Sequence, residues 1–425
     1  MESKKYVIQT DQIKSPLISI IVTNFNYARY IETCLRSIAD QTYTKFECVI
    51  VDDVSQDNSV KIIERFIDNN QVSDRFRLVQ HGENQGQMAA FQTGLEHTSG
   101  RFVVFVDADD LLLPDFIETH LKAHLNSSYE AALSNSDQFQ IGSDGQILSA
   151  THIVMYKNRG NTRSIAREPK NGQCEWNFSQ EGPMTFRQPD LPIEYYHAWE
   201  VPQWGWMWST TSAAMFRRDV LNMVMSEECR CLRVCADSYL FHFSHALGGT
   251  LIIPAVHGCY RRHGSNAFSN NPIIGGFNSP GDVRRDPKTL SRELSFRLAI
   301  KRFDYFHAVI GRDRMIWLLK YFGSGRKFIK LTLSLKTFPE NMFISGVRIT
   351  PENIFYPKIF RSPVAPHKII TRIIGRFYLK FVRYMYQMIR FLRNPRADEI
   401  KLPDHRSDPV SCLTLASSSD EDPNH

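Results

Sequence analysis

The stretch RFVVFVDADDLLLPD, residues 101–115, decides how this chain is read. Five residues in succession, Phe102 to Val106, are all β-branched or aromatic. Such a run predicts a buried strand. It ends in three carboxylates within four positions, Asp107, Asp109 and Asp110. Like charges that close are costly unless a cation or hydrogen-bond donors offset them. Positions i and i+2 of a strand share a side, so Asp107 and Asp109 are expected to converge on one cation or polar ligand. The plainer alternative is a solvated turn with helix-capping aspartates.

The neighbouring segments favour the first reading. LISIIVT (17–23), FECVIVDD (46–53) and FRLVQ (76–80) read as further strands. YIETCLRSIADQ (30–41), NSVKIIERFIDN (58–69) and GQMAAFQTGLEHT (86–98) read as helices between them. This alternation predicts an α/β domain with a mainly parallel sheet flanked by helices. Ligand sites in such sheets lie at the carboxyl ends of the strands. The first strand ends in TNFNYARY (23–30) and the second in DDVSQDNS (52–59). Hydroxyls, an aromatic and carboxylates should therefore meet DADD in one crevice, and packing alone gives no reason for that.

Five pieces in order now carry a resemblance: ISIIVTNFN, QTYTKFECVIVDDVSQDNS, NQGQMAAFQTGLEHTSGRFVVFVDADDLLLPD, CADSYLF and YRRHGSN, together spanning about residues 17–269. They are similar to the family 2 glycosyltransferases, whose nucleotide-sugar-binding GT-A fold is a Rossmann-like mixed sheet. The resemblance implies that Thr23 and Phe25 line a nucleobase pocket. It implies that Asp53 hydrogen-bonds the base, with Asp52 its weaker neighbour and Gln85 close by. Asp107-Ala108-Asp109 matches the family's D-x-D. Asp107 would then lie near the ribose with Ala108 beside it, and Asp109 would bind a divalent cation, Mn²⁺ or Mg²⁺, held by the diphosphate. Both are hard cations suited to carboxylate oxygens. His263 matches a histidine that reaches the metal or diphosphate in some relatives, and Arg261 or Arg262 could pair with phosphate. Asp237 matches the catalytic base of inverting transfer, which takes the acceptor's hydroxyl proton. Two departures stand out: Ala236 replaces a second acid often found before the base, and Gln92 replaces an Asn.

HAWEVPQWGWMWSTTSAAMFRRD (197–219) places tryptophans at 199, 204, 206 and 208. Buried indole needs a polar partner, so their crowding into a Pro/Gly-containing loop favours an acceptor wall. Trp204, Trp206 and Trp208 are its expected members, with sugar faces stacked on the rings. Aromatic core is the alternative.

The net charge of +6 hides an asymmetry. Residues 281–396 carry 25 Lys and Arg against 7 Asp and Glu, while the rest carries 26 against 38. Lys368, Arg372, Arg376, Lys380, Arg383, Arg390 and Arg393 would fall within an arc of roughly 140° on a helix, opposite Ile370, Ile373, Phe377, Phe381 and Met388. A basic amphipathic helix over about 366–394 is expected, suited to an anionic membrane surface. A helix packed on the catalytic domain with a solvated basic edge is the alternative, and nothing points to nucleic acid.

The expected organisation is an N-terminal extension (1–15), a GT-A domain (16–270), a mostly helical C-terminal region (271–400) and a disordered polar tail (401–425). No secretory signal or transmembrane helix is predicted from MESKKYVIQTDQIKS or from the longest charge-poor stretch, residues 238–260. Eight cysteines without a paired framework suggest a reducing compartment, and the Cys229, Cys231, Cys235 spacing is not that of a zinc ribbon. The expectation is a cytoplasmic enzyme, peripheral to the inner face of the cell membrane. It would move one sugar from a nucleoside diphosphate sugar to a glycan or lipid-linked acceptor in surface polysaccharide assembly. The Q-x-x-R-W signature of processive synthases is missing from the sequence. A catalytically inactive sugar- or nucleotide-binding scaffold of the same fold is the rival. A nucleotidyltransferase is disfavoured because the loop after the first strand has no glycine.

Overall fold

Strands β1 (Ile18–Asn24), β2 (Phe46–Asp52) and β4 (Phe102–Asp107) are near-continuous apolar runs, and each is buried along most of its length. With β3 (Phe76–Gln80) they pair in parallel in the order β4-β1-β2-β3. Alternation along the strands sorts their side chains to two faces. Ile20 and Val22 join Val104 and Val106 on one face, under α1 (Ile31–Ala39) and α2 (Ser59–Asn69). Ile21 joins Val103 and Phe105 on the other, under α3 (Gln87–Glu96). Helix α1 buries Ile31, Cys34, Leu35 and Ile38, the i, i+3, i+4, i+7 stripe of an amphipathic helix. Helix α3 packs so closely that a Cβ on Gly94 would stand 2.2 Å from a methyl of Ile21. This computed structural model describes residues 14–149, 175–177, 185–188, 192–200, 206–264, 266, 287–323, 343–344 and 347–348.

Beyond β4 the chain forms β5 (Leu111–Leu112), α4 (Phe116–Asn126), β6 (Leu133–Ile141), β7 (Ile147–Ser149) and a separate β8–β9 pair (Glu175–Asn177, Thr185–Arg187). Next come β10 (Glu194–Tyr196), β11 (Ala214–Arg217), α5 (Arg218–Val224), α6 (Ala236–Gly248) and β12 (Thr250–Arg261). The sheet runs β10-β12-β6-β11-β4-β1-β2-β3. β11 is antiparallel to β4 and β6, whereas β6 and β12 are parallel. The fold class is as expected: a mainly parallel mixed sheet flanked by helices.

Pro254 has no N–H to give the ladder, and the β12–β6 register shifts between Ile253 and Val256 and again before Gly258. The strand nevertheless continues to Arg261, well past LIIPAV, and so delivers its end to the acidic turn after β4.

Helices α7 (Pro287–Lys301), α8 (Phe303–Ile310) and α9 (Arg312–Gly323) precede a short β13–β14 pair (Phe343–Ile344, Val347–Arg348). The expected boundary at 270 does not divide the core. Phe296, Phe306 and Phe322 lie in the same apolar cluster as α6, with Phe243 5.6 Å from Phe306 and 4.9 Å from Phe322 between ring centroids. The α6 face opposite the sheet is apolar, and these helices cover it. The proposed basic helix (366–394), the tail (401–425) and residues 1–13 lie outside the described residues. Among the described residues, no helix is long and apolar enough to cross a membrane.

Candidate active site

A cleft of about 370 Å³ opens at the carboxyl ends of β1 and β4, lined among others by Thr23, Phe25, Asp53, Asp107, Asp109 and Asp237. Its floor is the turn after β4. The strand ends at Asp107, one residue into the acidic run. The Asp110 N–H closes a turn onto the Asp107 carbonyl at 3.0 Å. Asp107 and Asp109 therefore share the cleft through a turn, not through the i, i+2 geometry of a strand.

Asp107 Oδ1 accepts from Thr23 Oγ1 (3.3 Å) and Gln87 Nε2 (3.2 Å). Burial, then the charge of Asp109, pushes its pKa up to about 7, with Asp237 adding to the rise and the Gln87 and Thr23 bonds opposing it. Asp109 is 5% exposed, and its Oδ2 accepts from His263 Nε2 at 2.9 Å. Asp110 does not face the cleft. It is buried and accepts the Arg261 N–H at 2.9 Å, and burial with the Asp109 and Asp107 charges holds its pKa well above the usual carboxylate range. Arg261 braces this turn: its Nε donates to the Asp109 carbonyl (2.8 Å), its Nη1 to Gly142 O (3.2 Å), and its guanidinium lies 4.8 Å from the Tyr30 ring centre. Of the two arginines expected near phosphate, Arg261 and Arg262, the first has its guanidinium engaged by the turn and the ring.

The other candidates divide. Phe25 is a large apolar side chain 45% exposed at the cleft, as a ring awaiting a stacking partner would be. Asp53 lines the cleft but is heavily used: it accepts from the N–H of Gln85 (2.8 Å) and Gly86 (2.7 Å) and from His81 Nδ1 (2.8 Å). A carboxylate offers about four acceptor sites, so its plain role is to fix the loop that starts α3. Asp52 is turned away, accepting from Asn24 Nδ2 (2.6 Å) and from the N–H and hydroxyl of Ser55 (3.0 and 2.6 Å). Gln85 also points elsewhere, its Oε1 accepting from Arg230 Nη2 at 2.9 Å. Ala108 is fully buried in the core under α1. Asp52, Gln85 and Ala108 are therefore scaffold, because a chain leaving a strand directs successive side chains to different sides and only some reach the crevice.

Asp237 sits in the first turn of α6 and lines the cleft. Its Oδ1 accepts the Ser238 N–H at 2.7 Å.

The tryptophans depart from expectation. Trp208 is 1% exposed, stacks on Phe241 (5.1 Å, 16°) and donates Nε1–H to Thr250 Oγ1 at 3.1 Å. Trp206 packs edge-on against Trp208 and Phe241 in the same cluster. They are core, not an acceptor wall: Thr250 supplies the polar partner of the Trp208 indole, and α6 supplies the aromatic bed for both rings. Trp204 lies outside the described residues. Thr210 and Thr211, just beyond, reach the cleft instead.

Sequence reading missed Gln87. It lines the cleft, and its one amide touches both Asp107 and the N–H of Ala236. The signal was a polar residue directly after Gly86, at the start of a helix whose next five residues are buried.

The Glycosyl transferase family 2 model matches residues 19–222. An uncharacterised glycosyltransferase of Nostoc is 28% identical over 250 residues, 59% of this chain and 66% of the relative. A Bacillus subtilis relative, TuaG, whose name places it in teichuronic acid biosynthesis, is 34% identical over 27% of this chain and 44% of its own length. Glycosyltransferase GlyA of Streptococcus pneumoniae is 37% identical over 29% of this chain and 17% of its own. The chain thus spans less than two thirds of these relatives' lengths. Among solved structures, TarS of S. aureus in complex with UDP-GlcNAc aligns at TM-score 0.44 and 16% identity, over 75% of this chain and 76% of that one. Residues 19–222, whose strand-end motifs gather on one cleft, match the Glycosyl transferase family 2 model.

Proposed function

We propose that the cleft is the donor site of an inverting, metal-dependent glycosyltransferase that moves a single sugar from a nucleoside diphosphate sugar to a hydroxyl of a glycan or lipid-linked acceptor. The observation that carries this is the convergence of Asp107, Asp109 and Asp237 with Thr23 and exposed Phe25 on one cleft. The match to the family 2 model and the name of TuaG support a role in surface polysaccharide assembly.

The donor atoms suit a hard divalent cation. Asp109 offers carboxylate oxygens with His263 against it, and the carboxylates of Asp107 and Asp237 line the same cleft. Among the described residues, no three metal-binding side chains form a ready cage. The cation would then complete its shell from the diphosphate, as Mg²⁺ does in phosphate sites. When bound, Mn²⁺ or Mg²⁺ offsets the charge of the departing diphosphate. Phe25 and Thr23 position the nucleoside. Asp237 takes the proton as the acceptor oxygen attacks the anomeric carbon and the bond to the diphosphate oxygen breaks.

Asp237→Asn keeps the side chain's size but cannot take the proton. Release of nucleoside diphosphate from a panel of UDP-, GDP- and dTDP-sugars should fall by about 10²–10⁴-fold. Donor affinity measured by calorimetry with Mn²⁺ should change little, because the base acts in the transition state. Turnover at the wild-type rate would sink the assignment.

The same reading places the enzyme at the inner face of the cell membrane, held by the basic segment 366–394; its support is the charge pattern of the sequence. The full chain should sediment with phosphatidylserine vesicles and not with phosphatidylcholine ones. Unchanged sedimentation after deletion of residues 366–396 would refute it.

A further inference from the structure

The start of α3 and the start of α6 cap one another. The first N–H groups of a helix have no partner within it. Those of Gln87 and Met88 donate to the carbonyls of Arg233 (2.9 Å) and Leu232 (3.2 Å), in the loop that leads into α6. In return, Gln87 Oε1 accepts the N–H of Ala236, the first residue of α6, at 3.1 Å. The approach is close enough that a Cβ on Gly86, whose φ is +87°, would stand 2.6 Å from Arg233 Cα. The other end of the same Gln87 amide donates to Asp107 Oδ1 at 3.2 Å.

We infer that Gln87 is a positioning residue: its single planar amide sets the separation between the donor-site carboxylate, Asp107, and the helix start that carries the base, Asp237. The inference rests on the base reading of Asp237 given above.

Two further observations require such a brace. Asp107 and Asp237 line the same cleft, where like charges repel. Cys235, between the loop and Asp237, is held at φ 59°, ψ 36°, a left-handed conformation that a non-glycine residue keeps only when its surroundings impose it. An amide carries a donor and an acceptor on one planar group, so it can donate to a carboxylate and accept from a helix N–H at once. Glutamate in its place would set an oxygen against Asp107, methionine would fill the space without either bond, and asparagine would be one methylene short.

The test uses the full-length protein with Mn²⁺, comparing Gln87→Met, Asp237→Asn and the double variant. Activity is the release of nucleoside diphosphate from the sugar nucleotide that wild type hydrolyses best. A displacement of about 1 Å can cost around 10²-fold, so Gln87→Met should lower kcat by about 10–10²-fold. KM and the calorimetric donor Kd should stay within about threefold. In the Asp237→Asn background the same substitution should cost almost nothing, because the residue acts through Asp237. Full additivity in the double variant would overturn the coupling while leaving the base reading intact. Wild-type turnover in Asp237→Asn alone would instead sink the base reading. A raised donor Kd with kcat unchanged would make Gln87 a donor contact. A crystal structure of Gln87→Met gives an answer independent of any ligand: the first turn of α6 should move away from Asp107, and an unmoved turn would overturn the proposal. If Gln87→Met does not fold, Gln87→Glu carries the same comparison.

Discussion

Helix α6 joins two regions that look equally odd in the sequence and behave in opposite ways. Its first turn meets the acidic floor of the cleft, where Asp107, Asp109 and Asp237 crowd together. Its body meets an aromatic layer, where Trp206, Trp208, Phe241, His242 and His245 pack against one another. The acidic cluster contains charges that repel, which calls for a ligand. In the aromatic cluster, Trp208 and His245 find partners within the chain. Trp208 has Thr250, and His245 Nδ1 shares the same hydroxyl at 2.9 Å. Crowding of unusual residues therefore says little by itself; what separates a site from a core is whether the chain supplies the partners.

The largest effect that sharpens this contrast is in the cleft. Asp109→Asn should cut release of nucleoside diphosphate by at least about 10²-fold while the thermal midpoint stays within a few degrees. Activity within tenfold of wild type at saturating Mn²⁺ would break the metal assignment.

On the other side of α6 the pattern should reverse. Trp208→Ala should cost about 3–5 kcal/mol of stability in urea unfolding. Below the unfolding transition, the donor KM of the folded fraction should be unchanged. A raised KM without lost stability would return Trp208 to the site.

The smallest effect is a pair of opposed pH slopes, measured without divalent cations. Burial lowers the pKa of His245 to about 3 and of His124 to about 4. Between those values and about 6.5 the unfolded chain binds protons that the folded one refuses, so these groups make stability fall as pH drops. Asp107 has the opposite sign. Its folded pKa of about 7 lies above the unfolded value, so the folded state holds the extra proton and stability falls as pH rises from about 4 to 7. Asp107→Asn should remove the second slope and leave stability rising more steeply with pH, by up to about 1.4 kcal/mol per unit per group. An unchanged profile would mean that Asp107 ionises as an ordinary carboxylate.

Much of this was legible beforehand. The strand-helix alternation through Asp107 was read correctly because a parallel sheet is written as apolar runs separated by amphipathic helices, and both are local patterns. The predicted helix 30–41 became Ile31–Ala39, and the predicted strand 76–80 is Phe76–Gln80. Thr23, Phe25, Asp53, Asp107, Asp109 and Asp237 all reach the cleft. His263 lies against Asp109, its Nε2 donating to the carboxylate. Asp52, Gln85 and Ala108 do not line it, although each is adjacent to or near a residue that does. Gln87 was passed over because its two partners lie 20 and 149 positions away.

Through Asp107, the amino-acid order alone set the succession of strands and helices, the face of each that must be buried and the strand ends at which carboxylates would gather. Those properties depend on residues a few positions apart, where periodicity and steric preference act directly. Which polar groups already had partners emerged from the folded arrangement: Asp52 from Ser55 and Asn24, Trp208 from Thr250, Arg261 from the turn it braces, and Asp107 in part from Gln87. A hydrogen bond needs two groups within about 3 Å, and for Asn24, Thr250, Arg261 and Gln87 the partner comes from another element of the chain.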